Sequence, residues 1–361
     1  MNKGRRRKAL CKVLGLIIVL LAVNGLLSWL LEPFCGSSQE MWQNFHAMEQ
    51  MDTVYAGTSQ CLQGIDPLTV DAAYEEAAGG SAAQVSYNMA TNMQSLANSR
   101  EAIASAIQEF GIRRAVLAVD HEILTGSRTD NARAEQSFWH AKAVTESSLR
   151  RRLSDDLQFM TSDAFIGRPA SLTYLTPWVY NRTADLRLNL QEKRAGKVLN
   201  SDGHRNARGF QPSKEELDPD LNFVAWDEAK EWDRTAVSLQ ELSVSEENEK
   251  ELAAIRDLCA ANDVELIVVI LPYPNWLSIY RREDILQTDG KLREIFSEEG
   301  FDTYDFNLLL PEYYDASGNE YYSDVGHMNE KGAERFSRFL GKFLRLREEG
   351  AKVDAWFRCT D

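Results

Sequence analysis

The sequence predicts an α/β protein: a three-layer, doubly wound parallel sheet with one N-terminal transmembrane helix and a large insertion after the third strand. Three observations predict it. One long uncharged apolar run precedes the rest of the chain. Short apolar, strand-like runs then alternate with amphipathic helical stretches, the pattern of βαβ units. Finally, a stretch rich in charge, Asn and aromatic residues separates the third strand-like run from the fourth.

The first element is an anchor. Residues 13–31, VLGLIIVLLAVNGLLSWLL, run for 19 positions without a charge, close to the roughly 20 that span a bilayer as a helix. The preceding RRRK favours a cytoplasmic N-terminus, so the rest of the chain would lie outside. We therefore expect a cytoplasmic basic tail over 1–8, the anchor over 9–31 and a juxtamembrane segment over 32–50. A cleaved signal peptide is the alternative, but the run exceeds the usual apolar core of such peptides and no small-x-small cleavage site precedes Trp42.

The remaining chain, residues 51–361, reads as one α/β domain. Strand-like runs lie at 52–57, 83–88, 114–119, 264–271 and 302–306. Helical patterns lie at 91–109, 243–262, 281–298 and 329–347. A doubly wound sheet forms its sites at the carboxyl ends of its strands. Residues 121–240 are too many for a simple crossover, and we interpret them as an insertion packed over the sheet edge; a separate small domain is the alternative.

Charge and composition exclude several functions. The formal net charge is −15, and residues 32–361, with 34 basic and 55 acidic residues, carry −21. A nucleic-acid partner is therefore not expected, because duplex binding needs a basic surface. Five cysteines without a C-x-x-C do not make a disulfide framework. The five histidines lack the spacing of metal ligands, so neither a metal nor another cofactor is expected.

One serine is a candidate nucleophile. Ser59 ends the triplet Gly57-Thr58-Ser59 directly after the first predicted strand. A serine hydroxyl attacks only when a base removes its proton. Near the other end of the chain, Asp324 and His327 stand three residues apart before the last helix, where His327 could act as base and Asp324 could orient its ring. The alternative is a turn serine and an unrelated surface ion pair.

The order of these residues resembles the SGNH/GDSL hydrolase superfamily, in which a serine follows the first strand and an Asp-x-x-His pair precedes the last helix. The stretches YAGTSQCLQGIDP and HMNEKGAERFSRFL are most similar to the membrane-anchored, extracytoplasmic branch that includes the teichoic-acid D-alanylation proteins. The resemblance covers residues 51–120 and 263–345. It implies a flavodoxin-like SGNH fold and a catalytic triad of Ser59, His327 and Asp324.

The resemblance also extends to the block that supplies an oxyanion donor. YNMATNMQSLANS, residues 87–99, is similar to that block, and we expect Thr91 and Asn92 to open the following helix, whose free N–H groups favour negative charge. The expected oxyanion hole is therefore the Ser59 N–H with the Asn92 region. Thr91 could instead simply cap the helix. Gln94 and Thr91 are candidate substrate contacts.

The third block departs from the family pattern. AVDHEILTG stands where the family has Gly-x-Asn-Asp, so Asp120 and His121 follow the third strand in place of an Asn donor. Asp120 could contact substrate, but an ionised carboxylate cannot donate a hydrogen bond, and losing one oxyanion donor typically costs about 2.7 to 4 kcal/mol in barrier. The sequence thus predicts either a differently built oxyanion hole or a slow, specialised enzyme.

The resemblance and the anchor together imply extracytoplasmic, serine-dependent acyl transfer, as an esterase or O-acyltransferase acting on a cell-surface polysaccharide or teichoic-acid-like polymer. No residue decides whether water or a sugar hydroxyl accepts the acyl group. The expected partners are the membrane, the polymer and a membrane-bound O-acyltransferase. The alternative is a non-catalytic partner or scaffold of such an acyl-transfer machine, in which the altered third block would reflect lost catalysis.

Overall fold

The computed structural model describes residues 3–31, 37–120, 157, 160–161, 185–196, 199, 205–218, 244–274, 296–297, 300–316, 318–324 and 326–357. In these ranges the helices are α1 (Lys3–Leu31), α2 (Ser37–His46), α3 (Ser59–Gly64), α4 (Pro67–Ala77), α5 (Leu96–Phe110), α6 (Leu186–Ala195), α7 (Glu246–Ala261) and α8 (Glu330–Glu348). The strands are β1 (Thr53–Ala56), β2 (Ser86–Asn88), β3 (Arg114–Ala118), β4 (Glu265–Ile270) and β5 (Asp302–Asp305).

These five strands form one parallel sheet in the order β2-β1-β3-β4-β5. Each lies within a predicted strand-like run, so the prediction of a parallel α/β sheet is confirmed. β1 pairs with β2 on one side and with β3 on the other. The order of the strands therefore reverses at β1, and such a switch point opens a crevice at the carboxyl ends of the strands.

Each face of the sheet carries its own core. Successive side chains of a strand point to opposite faces; in β1, Val54 and Ala56 join one buried cluster and Tyr55 joins the other. Helices α2, α5 and α7 cover the first face with Phe45, Ile103 and Ile255. Helices α4 and α8 cover the second face with Val70, Phe336, Leu340 and Phe343. These α8 residues and Ala333 are fully buried and recur every three or four positions, which is the spacing of one helix face.

The N-terminal helix agrees with the predicted anchor. Within α1, residues 7–31 form a helix long and apolar enough to cross a membrane. The segment that follows belongs to the domain, because α2 buries Met41, Trp42 and Phe45 in the first core cluster. The Tyr87 hydroxyl of β2 also donates to the Met41 carbonyl at 2.7 Å.

One part of the expected insertion, residues 205–218, lies along the outer edge of β2. The Asn88 N–H donates to the Arg208 carbonyl at 2.9 Å. Gly209 has a φ of +86°, and a Cβ there would lie 2.0 Å from the Asn88 carbonyl oxygen, so only glycine fits. Further along, the Leu217 N–H donates to the Tyr322 carbonyl at 2.7 Å. This stretch thus connects the β2 edge with the loop before α8. Most of 121–240, and most of the predicted helix at 281–298, lies outside the described residues.

At the opposite end of the sheet, an ionic cluster fastens the end of α8 to the strands. Arg114, whose side chain is only 3% exposed, lies 2.6 Å from Glu265 and 3.0 Å from Glu348. The Tyr74 hydroxyl also donates to the Glu348 carboxylate, and the Arg113 guanidinium forms an ion pair with Glu348 at 2.9 Å. Burial alone raises the pKa of Glu348, but the hydrogen bonds from Tyr74 and Arg114 and the arginine charges outweigh it and lower the pKa to about 2.

This cluster predicts a loss of stability in acid that depends on Glu348. Its pKa is lowered in the folded protein, so its contribution is present above its ordinary pKa of 4.5 and is lost as the pH falls toward 2. Glu348→Gln should therefore lower the urea midpoint at about pH 7, and the deficit should shrink at about pH 3. The matched control is Glu349→Gln, which removes an i,i+4 pair between Arg345 and a carboxylate whose side chain is 44% exposed, and it should change the midpoint little because a solvated carboxylate gains little from such a pair. Equal deficits in the two variants would contradict the assignment.

Candidate active site

Ser59 follows β1 at a point where the backbones of β1 and β3 approach each other closely. β1 ends at Ala56, and Ser59 is the first residue of α3. Between them, a Cβ on Gly57 would lie 2.7 Å from the Ala118 carbonyl oxygen, so only glycine lets the end of β1 approach the end of β3 this closely. The Gly57 carbonyl accepts from the Thr91 N–H at 3.2 Å. The turn before Ser59 is thus fixed from both neighbouring strands.

The helix that carries Ser59 is fixed from below by a buried amide. Asn88, at the end of β2, donates through Nδ2 to the carbonyls of Cys61 at 2.9 Å and Ile65 at 2.8 Å. The Cys61 carbonyl also accepts from the Ile65 N–H at 3.1 Å, so the amide adds a second donor there and gives the Ile65 carbonyl a partner at the end of the short helix. Sequence reasoning did not single out Asn88. Its signal was an amide at the last position of the second strand-like run.

The histidine lies on a closed loop before α8. Tyr322 and Met328 pair across the base of this loop, and the Ser323 N–H donates to the His327 carbonyl at 2.9 Å. Inside the loop, one oxygen of Asp324 accepts from the N–H groups of Gly326 at 2.7 Å and His327 at 2.9 Å. The Asp324 carboxylate therefore shapes the loop and faces the histidine ring at once.

A second residue that sequence reasoning missed, Asn329, closes the loop. Its side chain caps α8 by accepting from the Gly332 N–H at 3.1 Å and donates to the Glu320 and Tyr322 carbonyls. A Cβ on Gly332 would lie 2.0 Å from the Tyr321 carbonyl oxygen, so the helix start and the loop are packed in direct contact. The signal in the sequence was an Asn at the start of a predicted helix, a preferred N-cap residue.

The three predicted triad residues lie together. His327 Nε2 is 2.7 Å from Ser59 Oγ, although the two residues are 268 positions apart in the chain. On the other side of the ring, Nδ1 is 2.9 Å from both carboxylate oxygens of Asp324. An ionised carboxylate only accepts hydrogen bonds, so Nδ1 carries the proton and Nε2 of the neutral ring is left to accept the hydrogen of Ser59.

The charge state of Asp324 agrees with that arrangement. Partial burial alone raises its pKa, but the hydrogen bond from the His327 side chain and those from the Gly326 and His327 N–H groups outweigh burial and hold the pKa below its ordinary value. The site opens to solvent, because the side chains of His327 and Asp324 are 27% and 54% exposed. A relay of this kind can deprotonate Ser59 during attack on a carbonyl.

The Ser59 N–H, the first predicted oxyanion donor, is not used in a described hydrogen bond. The Ser59 N–H has no hydrogen-bond partner within the described part of the chain, since the first helical bond of α3 runs from the Leu62 N–H to the Thr58 carbonyl. Cys61 is no rival nucleophile, because it is fully buried and burial raises the pKa of its thiol far above the ordinary value.

The stretch expected to complete the oxyanion hole differs from the prediction. The helix begins at Leu96, capped by Ser95, and not at Thr91. Met93 has a φ of +51°, which a right-handed helix cannot contain, so residues 91–94 form a turn. Asn92 is exposed on that turn and cannot supply helix N-terminal N–H groups. A contribution of Asn92 to an oxyanion hole stays a prediction.

Thr91 and Gln94 serve the turn itself. Both are buried. The Thr91 hydroxyl donates to Gln94 Oε1 at 3.1 Å, and Gln94 Nε2 donates to the Ser99 hydroxyl at 3.1 Å. These bonds tie the turn to the first helical turn of α5. Contact of either side chain with substrate stays a prediction.

Asp120 lies at the end of β3 and contacts the residue before the nucleophile. Its carboxylate accepts from the Thr58 hydroxyl at 3.0 Å, and both residues are buried. Thr58 would ordinarily cap α3 with its side chain, but makes no such bond. Thr58 was not among the predicted site residues. A role of Asp120 in substrate binding stays a prediction, and His121 lies outside the described residues.

Within the described residues, no group of three His, Cys, Asp or Glu side chains is arranged to hold a metal ion. No protein-family model matches the sequence, and a search of curated proteins finds no significant match. The resemblance to SGNH hydrolases therefore depends on the motifs alone.

The Thr58–Asp120 contact predicts a measurable cost when it is broken. Thr58→Val keeps the shape of the side chain but removes the hydroxyl that donates to a buried carboxylate. We expect a loss of about 1–3 kcal/mol in the free energy of unfolding, measured by urea denaturation. Thr58→Ser keeps the donor and should retain most of the stability. If Val and Ser variants unfold at the same midpoint, the bond does not stabilise the turn.

Proposed function

We propose that this protein is a serine-dependent acyl-transfer enzyme, held at the membrane by α1 with its domain on the extracytoplasmic side, and that it acts on a cell-surface glycan or polymer. The observation that carries the proposal is the continuous relay from Ser59 through His327 to Asp324, with ring-nitrogen distances of 2.7 and 2.9 Å. Its position at the carboxyl edge of the sheet, beside the switch point, is where such folds bind ligands.

In the first half of the proposed reaction, Ser59 Oγ attacks the carbonyl carbon of an ester while its proton passes to His327 Nε2. Asp324 stabilises the imidazolium that forms. The Ser59 N–H, with the Asn92 side chain as second donor, stabilises the negative charge that develops on the carbonyl oxygen. His327 then gives its proton to the departing alcohol oxygen, which leaves an acyl ester on Ser59.

In the second half, a hydroxyl compound attacks that acyl ester and gives its proton to His327. Water makes the enzyme an esterase, and a sugar hydroxyl makes it an O-acyltransferase. The exposure of His327 and Asp324 supports a large acceptor, because an open site admits a segment of polymer whereas a closed pocket admits only a small molecule. His327 then returns this proton to Ser59 Oγ as the bond between Oγ and the acyl carbon breaks, which releases the acylated acceptor and restores the Ser59 hydroxyl and neutral His327.

A second candidate is a non-catalytic partner or scaffold of a membrane-bound O-acyltransferase. Asp120 favours it, because this carboxylate stands where the resembling family has a donor of the oxyanion hole. A negative charge there would oppose an oxyanion by the same electrostatics that make a donor useful. The enzyme is preferred because the relay is formed in full.

The first test sets enzyme against scaffold. Ser59→Ala and His327→Ala should each remove nearly all hydrolysis of a p-nitrophenyl ester, because members of one relay act as a unit. Asp324→Asn should lose less, roughly 10⁴-fold, because it disturbs only the tautomer and orientation of the ring. A fluorophosphonate should label the wild type and not Ser59→Ala.

The matched control is Ser323→Ala, which removes a hydroxyl from the same loop as Asp324 but one that contacts the His327 carbonyl, not the ring. It should keep both activity and labelling. Two results together would leave the scaffold as the function. The first is that a Ser59→Ala strain keeps the wild-type acyl content of its wall. The second is that the purified wild-type protein neither hydrolyses esters nor reacts with the fluorophosphonate.

The second test concerns topology. Because the first turns of α1 carry basic residues, we expect protease added outside intact cells to digest the domain while an epitope fused before Lys3 stays protected. Immunoblots of the epitope and of the domain show which of the two is protected from the protease. Digestion of the epitope in intact cells, or release of a soluble protein that begins after Leu31, would contradict this topology.

A further inference from the structure

Helix α6 lies against the C-terminal end of the apolar helix α1. Asn189 Nδ2 donates to the Leu30 carbonyl at 2.9 Å. Lys193 donates to the Trp29 carbonyl, and its Nζ lies 5.4 Å from the centre of the Trp29 ring, within reach of a cation–π interaction. These contacts cap carbonyl groups that the end of a helix leaves without partners. They fix α6 to the last turn of α1.

That contact determines the depth of α6 when α1 crosses a bilayer. The uncharged run of α1 has 19 residues, about 28 Å of helix at 1.5 Å per residue, which is close to a hydrocarbon core of roughly 30 Å. Trp29 and Leu30 stand at its very end, and tryptophan favours the interface between hydrocarbon and headgroups. A helix bonded to both residues must lie at that interface too.

The surface of α6 has the composition that an interface requires. Successive residues of a helix are about 100° apart around its axis. Around α6, Leu186 and Leu190 lie on one side of Lys193, which contacts the anchor. Arg194 and Arg187 follow them on that same side. Leu186 is 45% exposed. Arg187 and Arg194 are exposed and form no ion pair with any described residue. Exposed leucines beside arginines on one side of a short helix are typical of helices that lie on membranes.

The charge of α6 is opposite to that of its surroundings. Residues 32–361 carry a formal charge of −21, whereas LRLNLQEKRA contains three basic residues and one acidic residue. The acid, Glu192, is buried and accepts from the Leu199 N–H at 2.9 Å. The solvent-exposed charge of α6 is therefore positive, and α6 is the described helix that contacts the end of α1.

We propose that α6 is a membrane-surface helix that binds anionic phospholipid headgroups in the leaflet at the C-terminal end of α1. Arg187 and Arg194 bind the lipid phosphates, and Leu186 and Leu190 enter the boundary between headgroups and acyl chains. The proposal depends on α1 spanning the bilayer, which is part of the proposed function, and is independent of the chemistry at Ser59.

The test uses the full chain reconstituted into phosphatidylcholine vesicles, with and without about 30% phosphatidylglycerol. An environment-sensitive fluorescent amino acid replaces Leu186 or, as the matched control, Leu68, an equally exposed leucine of α4 at 49%. Lipids spin-labelled near the headgroup should quench the probe at 186 at least twofold more than at 68. Quenching at 186 should increase further with phosphatidylglycerol.

A second experiment tests the role of charge. The double variant Arg187→Glu/Arg194→Glu should abolish the increase in quenching at 186 that phosphatidylglycerol produces. The control pair, Lys250→Glu with Arg338→Glu, makes the same change in net charge at exposed residues of α7 and α8 and should leave the increase intact. Equal quenching at 186 and 68, or equal behaviour of the two charge pairs, would overturn the proposal.

Two further readouts separate this inference from the proposed function. Resistance to alkaline carbonate extraction reports whether α1 is inserted, and fluorophosphonate labelling reports on Ser59. A chain that resists extraction and is labelled, but shows no preferential quenching at 186, overturns the surface helix alone. A chain that carbonate releases overturns the surface helix and the anchor together, while the labelling still decides the chemistry at Ser59.

Discussion

The parallel pairing of β1 between β2 and β3 is the constraint on which the site depends. The register sets Ala56 beside Leu117, so the next residue of each strand, Gly57 and Ala118, must pass at van der Waals distance. Parallel pairing also brings the three carboxyl ends to one edge. Ser59, the turn at 91–94 and Asp120 therefore meet there, although no two of these segments are adjacent in the chain.

The strands and the last helix could be predicted because burial determines their sequence. A strand covered on both faces is apolar, as in the run IVVIL at residues 267–271, and α8 repeats its buried residues with the period of a helix. The relay could be predicted as well, because its three residues have side chains of defined chemistry in a defined order. Helix α2 was missed as part of the core, although Met41, Trp42 and Phe45 lie on one face.

The start of α5 and the contact of Thr58 could not be predicted, for physical reasons. Methionine has a high helix propensity, so nothing in the sequence marks Met93 as left-handed; the turn is imposed by the buried bonds among Thr91, Gln94 and Ser99. Thr58 looks like a helix cap, which is its usual role. Its hydroxyl turns away because Asp120, 62 positions later, offers a buried carboxylate as acceptor. The contact of Thr58 depends on a tertiary neighbour, which local patterns do not record. The start of α5 depends on side-chain bonds between residues three and five positions apart, which helix propensity does not take into account.

The connections between α1 and the domain restrict how far the domain can lie from the end of α1. α1 ends at Leu31 and α2 begins at Ser37, so the chain between them spans roughly 20 Å even when fully extended. Helix α2 is built into the core beneath β2, and Ser37 is itself tied to the β2-edge segment, since Arg205 Nε donates to its carbonyl at 3.0 Å. The domain is thus joined to the anchor by a short connection and by α6, without a long tether. If α1 spans a bilayer and Ser59 accepts an acyl group, as proposed, the domain that carries Ser59 stays tethered close to the bilayer surface, which favours a membrane-bound acyl donor over one that diffuses freely.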